Sequence, residues 1–281
     1  MTDTHAHLYD RSGDELQEIV ADAVNAGVDT IINTAVSIPT AKIVLDQCGR
    51  FPQNLYAAIG ISPFDTDNLT DSWESELVTL LKTQNQKIVA IGEIGLDSTN
   101  PAYPPIDVQM PVFAKQLEIA MTSNLPAVIH SRGTEKRAAE ICRDMGVKKA
   151  VFHCFTGDAE SLEYIASSGY YISISGIITY KNSHLRELIR NVPLDKLVIE
   201  TDTPYLSPTP HRGKPNRPSF LPHTAKCIAQ LLNINEPELM STLKKNTTAA
   251  FWRLANITSH YQLDNGRNQP EQSNGGDWLP H

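Results

Sequence analysis

A single (β/α)8 barrel of the TIM type is the fold this sequence predicts, and three observations predict it. Short apolar or β-branched runs recur eight times along the chain. Segments of helical character separate them. Most of the runs are continuous rather than alternating, as strands buried on both faces of a parallel sheet must be. With 281 residues, 41% of them hydrophobic and 20% charged, the chain can bury a full core, and one such barrel takes about 250 residues.

The strand runs are Met1–His7, Thr30–Val36, Leu55–Ile61, Lys87–Ile94, Pro126–His130, Ala150–Cys154, Tyr170–Ser175 and Leu197–Thr201. Among the helical segments, Glu15–Ala26 places Leu16, Ile19, Val20 and Ala23 on one face, and Gly27 can end it. Met110–Thr122 repeats that spacing with Val112, Phe113, Leu117 and Ala120. Glu135–Met145 ends before Gly146; Asp158–Ala166 opens on an acid suited to a cap and stops near Gly169. After Leu221 the pattern is purely helical, with helices expected at Pro222–Asn233, Glu236–Lys245 and Thr247–Leu254. From about Thr258 the chain turns polar, which divides it into a barrel over 1–257 and a flexible tail over 258–281. An open doubly wound sheet is the competing arrangement, but no GxGxxG follows the first strand.

Composition removes several functions. No run of 18 uncharged apolar residues occurs, so no membrane span or membrane partner is expected. Asp3 and His5 stand where a signal peptide needs apolar residues, and the four cysteines form no CxxC pair; a reducing cytoplasm is the expected location. A net charge of −8 argues against a protein that coats nucleic acid electrostatically. No coiled coil or apolar stripe calls for an obligate protein partner.

The chemistry gathers at the ends of the strand runs. His5 and His7 end the first, spaced to project on one face. Glu93 ends the fourth, His130 the fifth, His153 the sixth, and Asp202 follows the eighth. In a barrel those ends converge on one mouth. A lone histidine at a strand end is usually a structural hydrogen-bonder, but six such groups on five strands suit two divalent ions, which imidazole and a bridging carboxylate can hold. Two ions about 3.5–4 Å apart can clamp the attacking and leaving oxygens of a displacement, so hydrolysis of an ester, amide or phosphodiester is expected. Gly92 and Gly95 flank Glu93, a sign that backbone approaches closely there. Asp97 is placed to hold a ligand or a loop, and Cys154 reads as a small buried residue rather than a nucleophile. Pro210–Pro218 carries Arg212, Lys214 and Arg217 and no acid, a candidate phosphate-binding loop; Arg132, just after His130, is a further candidate.

These residues resemble the TatD-type metal-dependent hydrolases, a branch of the amidohydrolase-like barrels. The matching pieces are Asp3-Thr4-His5-Ala6-His7, Ala90-Ile91-Gly92-Glu93-Ile94-Gly95-Leu96-Asp97, Val128-Ile129-His130-Ser131-Arg132, Val151-Phe152-His153-Cys154-Phe155-Thr156-Gly157, Glu200-Thr201-Asp202-Thr203-Pro204-Tyr205-Leu206, Arg212-Gly213-Lys214-Pro215-Asn216 and Leu221-Pro222-His223. The resemblance implies one ion held by His5, His7, Glu93 and Asp202, and a second by Glu93, His130 and His153, with magnesium, manganese or zinc as the metals. It also implies that Asp202 accepts the proton of the attacking water, and that Glu93 and Asp202 are the catalytic pair. The activity it implies is hydrolysis of DNA, commonly from the 3′ end; some relatives deacylate mischarged tRNA.

The chain departs from the family pattern after the third strand. The usual Gly-Ile-His-Pro-His reads Gly60-Ile61-Ser62-Pro63-Phe64 here. Ser62 can still donate a hydrogen bond to a phosphate oxygen but cannot be cationic. Ser98–Pro101 also lacks the aromatic residues expected there. Three functions compete on these residues: a deoxyribonuclease acting transiently on DNA or another phosphate-bearing substrate, an ester or amide hydrolase such as an aminoacyl-tRNA deacylase, and a barrel that binds without catalysing.

Overall fold

The computed structural model describes residues 1–84 and 86–254. The eight parallel strands lie in sequence order: β1 (Thr2–Ala6), β2 (Thr30–Thr34), β3 (Leu55–Ile59), β4 (Ile88–Asp97), β5 (Ala127–Arg132), β6 (Ala150–Phe152), β7 (Tyr171–Ile174) and β8 (Leu197–Ile199). Between them run α1 (Gly13–Asn25), α2 (Ile38–Arg50), α3 (Trp73–Thr83), α4 (Ile106–Thr122), α5 (Glu135–Asp144), α6 (Ala159–Ser167) and the single turn α7 (Leu185–Leu188). The chain continues through α8 (Leu221–Leu232) and α9 (Glu236–Ala250). The first and last strands meet just past their ends. Ala6 bridges Thr203, the His7 N–H donates to the Thr203 carbonyl at 2.8 Å, and the Asp202 N–H donates to the His5 carbonyl at 2.9 Å. That contact rolls the sheet into the expected (β/α)8 barrel.

Side-chain alternation divides the core in two. Outward residues such as Ile31, Leu55, Ile91 and Phe152 pack under the helices with Leu16, Phe113 and Leu117. Inward residues Ile32, Tyr56, Val89, Val128, Val151 and Val198 fill the barrel and meet Phe251 beyond α9. Each fully buried large apolar side chain of this kind contributes about 1.5–3 kcal/mol.

Two strands outrun their sequence limits. β4 continues through Glu93 to Asp97 and β5 to Arg132, because they pair with one another there, Gly95 with His130 and Asp97 with Arg132. The break expected between two helices at Asn246 is absent: α9 runs through it to Ala250, and the chain is helical again over 252–254. Asn246, the polar residue at the expected break, is buried and its amide donates to the carbonyls of Leu194 and Leu197, both at 2.7 Å, so it anchors α9 rather than ending it. The expected tail over 258–281 lies outside the described residues. No helix among the described residues is long and apolar enough to cross a membrane.

Candidate metal centre

Backbone and buried polar contacts set each of the six groups. Asp3 is fully buried and accepts from the Thr201 hydroxyl at 2.6 Å and from the Thr201 N–H at 2.9 Å, which pins β1 to the segment carrying Asp202. Burial pushes the Asp3 carboxyl up, against its Thr201 hydrogen bonds, to about 7. Asp202 takes a left-handed backbone conformation (φ 59°), one that Asp tolerates. Asn216, from the basic loop, donates to the carbonyls of Thr201 and Tyr205 at 2.8 and 2.7 Å and so braces the same turn. Gly95 is required at its position: a Cβ there would collide with the His130 carbonyl. One on Gly92 would lie 2.6 Å from the Val128 Cβ. The glycines beside Glu93 thus let β4 and β5 approach closely, the reason their placement suggested.

The six side chains meet at the mouth. The two carboxylate oxygens of Glu93 face different partners. Oε2 lies 3.3 Å from His5 Nε2 and 3.4 Å from His7 Nε2, while Oε1 lies 2.9 Å from His130 Nδ1. Asp202 Oδ1 stands 3.6 Å from His7 Nε2 and 3.9 Å from His5 Nε2. His153 Nε2 lies 3.2 Å from His130 Nδ1, and its ring stacks on that of His5 at 3.9 Å. Ligand atoms of His5, His7 and Glu93 form one compact group, those of Glu93, His130 and His153 a second, and those of His5, His153 and Asp202 a third. Among the six, only His130 is more than marginally exposed.

The donor chemistry fits divalent cations. His7 Nδ1 is 3.0 Å from the Thr34 carbonyl, which can only accept, so Nδ1 carries the proton and Nε2 turns a lone pair inward. His130 Nε2 donates to Asp97 Oδ2 at 3.1 Å and turns Nδ1 inward. Burial raises the Asp97 carboxyl, but the His130 and Thr99 hydrogen bonds outweigh it and hold it at about 2, ionised and accepting. The inward nitrogens then stand 3.1 Å apart for His5 and His7 and 3.2 Å apart for His130 and His153. A proton on one nitrogen of each pair, or a cation shared by both, relieves the repulsion between their lone pairs. Burial pulls His7 down, yet Asp202 and Glu93 outweigh burial and push it up to about 10: the two carboxylates draw positive charge, a proton or a metal ion, to this ring. Burial lowers His5 and, with its imidazole neighbours, lowers His153 strongly; His130 and His153 draw the Glu93 carboxyl well down against its burial.

The expected phosphate ligands divide. Arg132 lines the same cavity of about 340 Å³ as His7, Glu93, His130, His153 and Asp202. Arg217 does not reach it: its guanidinium pairs with Glu18 at 2.8 Å and Asp22 at 3.0 Å on α1. Arg212 packs 4.1 Å over the Tyr180 ring, and Lys214 is exposed with its carbonyl engaged by Ser207. Ser62 is fully buried, its hydroxyl unpartnered and outside the cavity lining. Cys154 is buried with its thiol 3.3 Å from the Ser175 hydroxyl, and burial pushes the thiol up.

Sequence reasoning did not single out four aromatic residues of the lining, Tyr9, Phe64, Tyr103 and Tyr205, as functional. Their signal is position, since each lies a few residues past a strand end. Glu200 was also unassigned; its Oε1 lies 3.4 Å from His153 Nδ1.

A family model described as TatD related DNase matches residues 2–252. The metal-dependent hydrolase YabD of Bacillus subtilis is 34% identical over 256 residues, 89% of this chain and 98% of that protein. The metal-dependent hydrolase TatD of Mycobacterium tuberculosis is 32% identical over 262 residues, 89% of this chain and 97% of its own. The names of both relatives call them uncharacterized. The crystal structure of YjjV, a TatD homologue of Escherichia coli, superposes with a TM-score of 0.83 at 32% identity, covering 89% of this chain and 97% of YjjV. With a family match across the whole barrel, relatives above 30% identity and a site built to hold cations, this chain belongs to the TatD-related family of metal-dependent hydrolases.

Proposed function

We propose that this hydrolase is a deoxyribonuclease that removes nucleotides from the 3′ end of DNA at a centre of two divalent ions. The observation that carries the reading is the split of Glu93, one oxygen toward His5 and His7 and the other toward His130. His5, His7, Glu93 and Asp202 would hold one ion, and Glu93, His130 and His153 the other. When bound, such ions make a water more acidic and offset charge growing on phosphoryl oxygens.

The chain's own groups do the remaining work. Asp202 Oδ1, at the rim of the buried cluster, accepts the proton of the attacking water. Asp97 and the Thr34 carbonyl fix the tautomers of His130 and His7, so no rotation is needed as the substrate arrives. Arg132, in the same cavity, pairs with the non-bridging oxygens of the scissile phosphate. One arginine suits an enzyme that grips a chain end, and it reconciles a phosphate-rich substrate with a net charge of −8.

The test is incubation of single-stranded DNA with the protein and manganese or magnesium, followed by chelator, for wild type and Glu93→Ala. Removing an outer partner of a metal ligand costs about 10–100-fold, and loss of a group facing both ion positions should cost more. DNA loss that chelator does not stop, or that Glu93→Ala leaves unchanged, overturns the reading.

A further inference from the structure

Four of the residues lining the metal cavity are aromatic, in a chain only 7% aromatic. They come from separate loops at one rim: Tyr9 past β1, Phe64 past β3, Tyr103 past β4 and Tyr205 past β8. Phe64 packs on Tyr103 with ring centroids 5.6 Å apart. Tyr205 is 57% exposed, and the other large apolar side chains left exposed among the described residues, Val24 and Ile43, sit on α1 and α2. One exposed tyrosine is ordinary; four rings around one buried cation site, with Arg132 in the same lining, are a recognition surface.

We infer that Tyr205, with the Phe64–Tyr103 pair, forms a clamp that stacks on the nucleobase of the terminal nucleotide; this rests on the nuclease reading above. A nucleotide has one flat apolar part and one anionic part, and the cavity offers both counterparts, rings at the rim and Arg132 beside the metal ligands. At about 340 Å³ the cavity is at the small end of small-molecule sites. That size suits one nucleotide, as a clamp that reads chain ends requires. Every base has a π face, so stacking grips the end without reading its sequence. Phe64 stands where the resemblance leads one to expect histidine, so this chain puts an apolar ring at that corner in place of a polar one.

The test compares single-stranded DNA ending in a normal nucleotide with the same strand ending in an abasic residue. Wild type should favour the normal end by roughly 10- to 100-fold in KM, with kcat little changed. That ratio should collapse in Tyr205→Ala and survive in Tyr205→Phe; Phe64→Leu should shrink it. A second readout needs no turnover: chelator-treated protein should quench a terminal 2-aminopurine, and Tyr205→Ala should not. DNA cleavage with equal rates on both ends overturns the clamp and leaves the nuclease standing. Absence of cleavage overturns the nuclease, and the clamp is then decided by quenching alone, no quenching overturning it.

Discussion

The two ends of the barrel interior are built from the same strands to opposite purposes. At the end where the strands begin, Ile32, Tyr56, Val89, Val128 and Val198 close on Phe251 and Leu254. Polar tethers hold that closure: Arg253 donates to the carbonyls of Ile88 and Ser123, and Lys149 to that of Ala249. At the other end, four imidazoles and two carboxylates crowd together, with inward nitrogens facing one another. The first end is satisfied by the chain alone. The second gathers donor atoms that could hold a metal ion. The difference teaches that the early residues of each strand carry the stability and the residues at its far end carry the chemistry.

The largest expected effect tests the apolar end. Phe251 is fully buried in the barrel plug, so Phe251→Ala removes a ring from close-packed surroundings and should cost about 3–5 kcal/mol. Urea unfolding measures it. Activity per folded molecule should match wild type, because Phe251 lies at the other end from the histidine and carboxylate cluster. A fall in turnover as large as the fall in stability would break the division between the ends.

That division was legible in the sequence only in part. His130 and His153 each follow a continuous apolar run, so the period of the strand itself points to them. Glu93 was found for the same reason, but its strand does not stop there; β4 runs on because β5 offers it partners as far as Arg132. A pairing between residues distant in sequence leaves no mark on either run. The basic loop misled for a similar reason. Arg217 looks like a phosphate ligand until Glu18 and Asp22, nearly two hundred residues earlier, are seen to hold it on α1. The aromatic rim was hidden because an isolated ring in a loop has no periodicity to expose it. Asn246 shows the reverse error, since a polar residue within a helix reads as a break unless its buried carbonyl partners are known.

The next effect in size concerns the polar end. Divalent ion added to chelator-treated protein at a hundred times its dissociation constant should raise unfolding free energy by about 2.7 kcal/mol. Glu93→Gln should lose most of that increment, since it removes the charge at the centre of the histidine cluster. Phe251→Ala should keep all of it, because distant sites with no shared partners act additively. Calorimetric unfolding of the three proteins with and without manganese or zinc makes the comparison. An increment that shrinks in Phe251→Ala would show that plug and mouth are one cooperative unit.

The smallest effect sharpens the boundary, because it concerns an acid at the mouth end whose work is structural. Asp158 precedes α6, and its carboxylate accepts the Ser161 N–H at 2.8 Å, an N-cap. That backbone bond, with the Ser161 hydroxyl, draws the Asp158 carboxyl below its ordinary value of 3.8. Asp158→Ala should cost about 1 kcal/mol, and Asp158→Asn much less, since Asn caps nearly as well. The sign follows from the direction of the shift. A carboxylate depressed in the folded state contributes its full stabilisation above the unfolded value near 3.8, and loses it as pH falls through the lower folded value. The gap between wild type and Asp158→Ala should therefore be constant from pH 5 to pH 7 and close below pH 4, while the gap between Asp158→Asn and Asp158→Ala stays put. Hydrolytic activity should be the same in all three proteins at neutral pH, because Asp158 caps a helix and does not line the cavity that holds the histidine and carboxylate cluster. A drop in activity without a drop in stability would move Asp158 from the scaffold into the site.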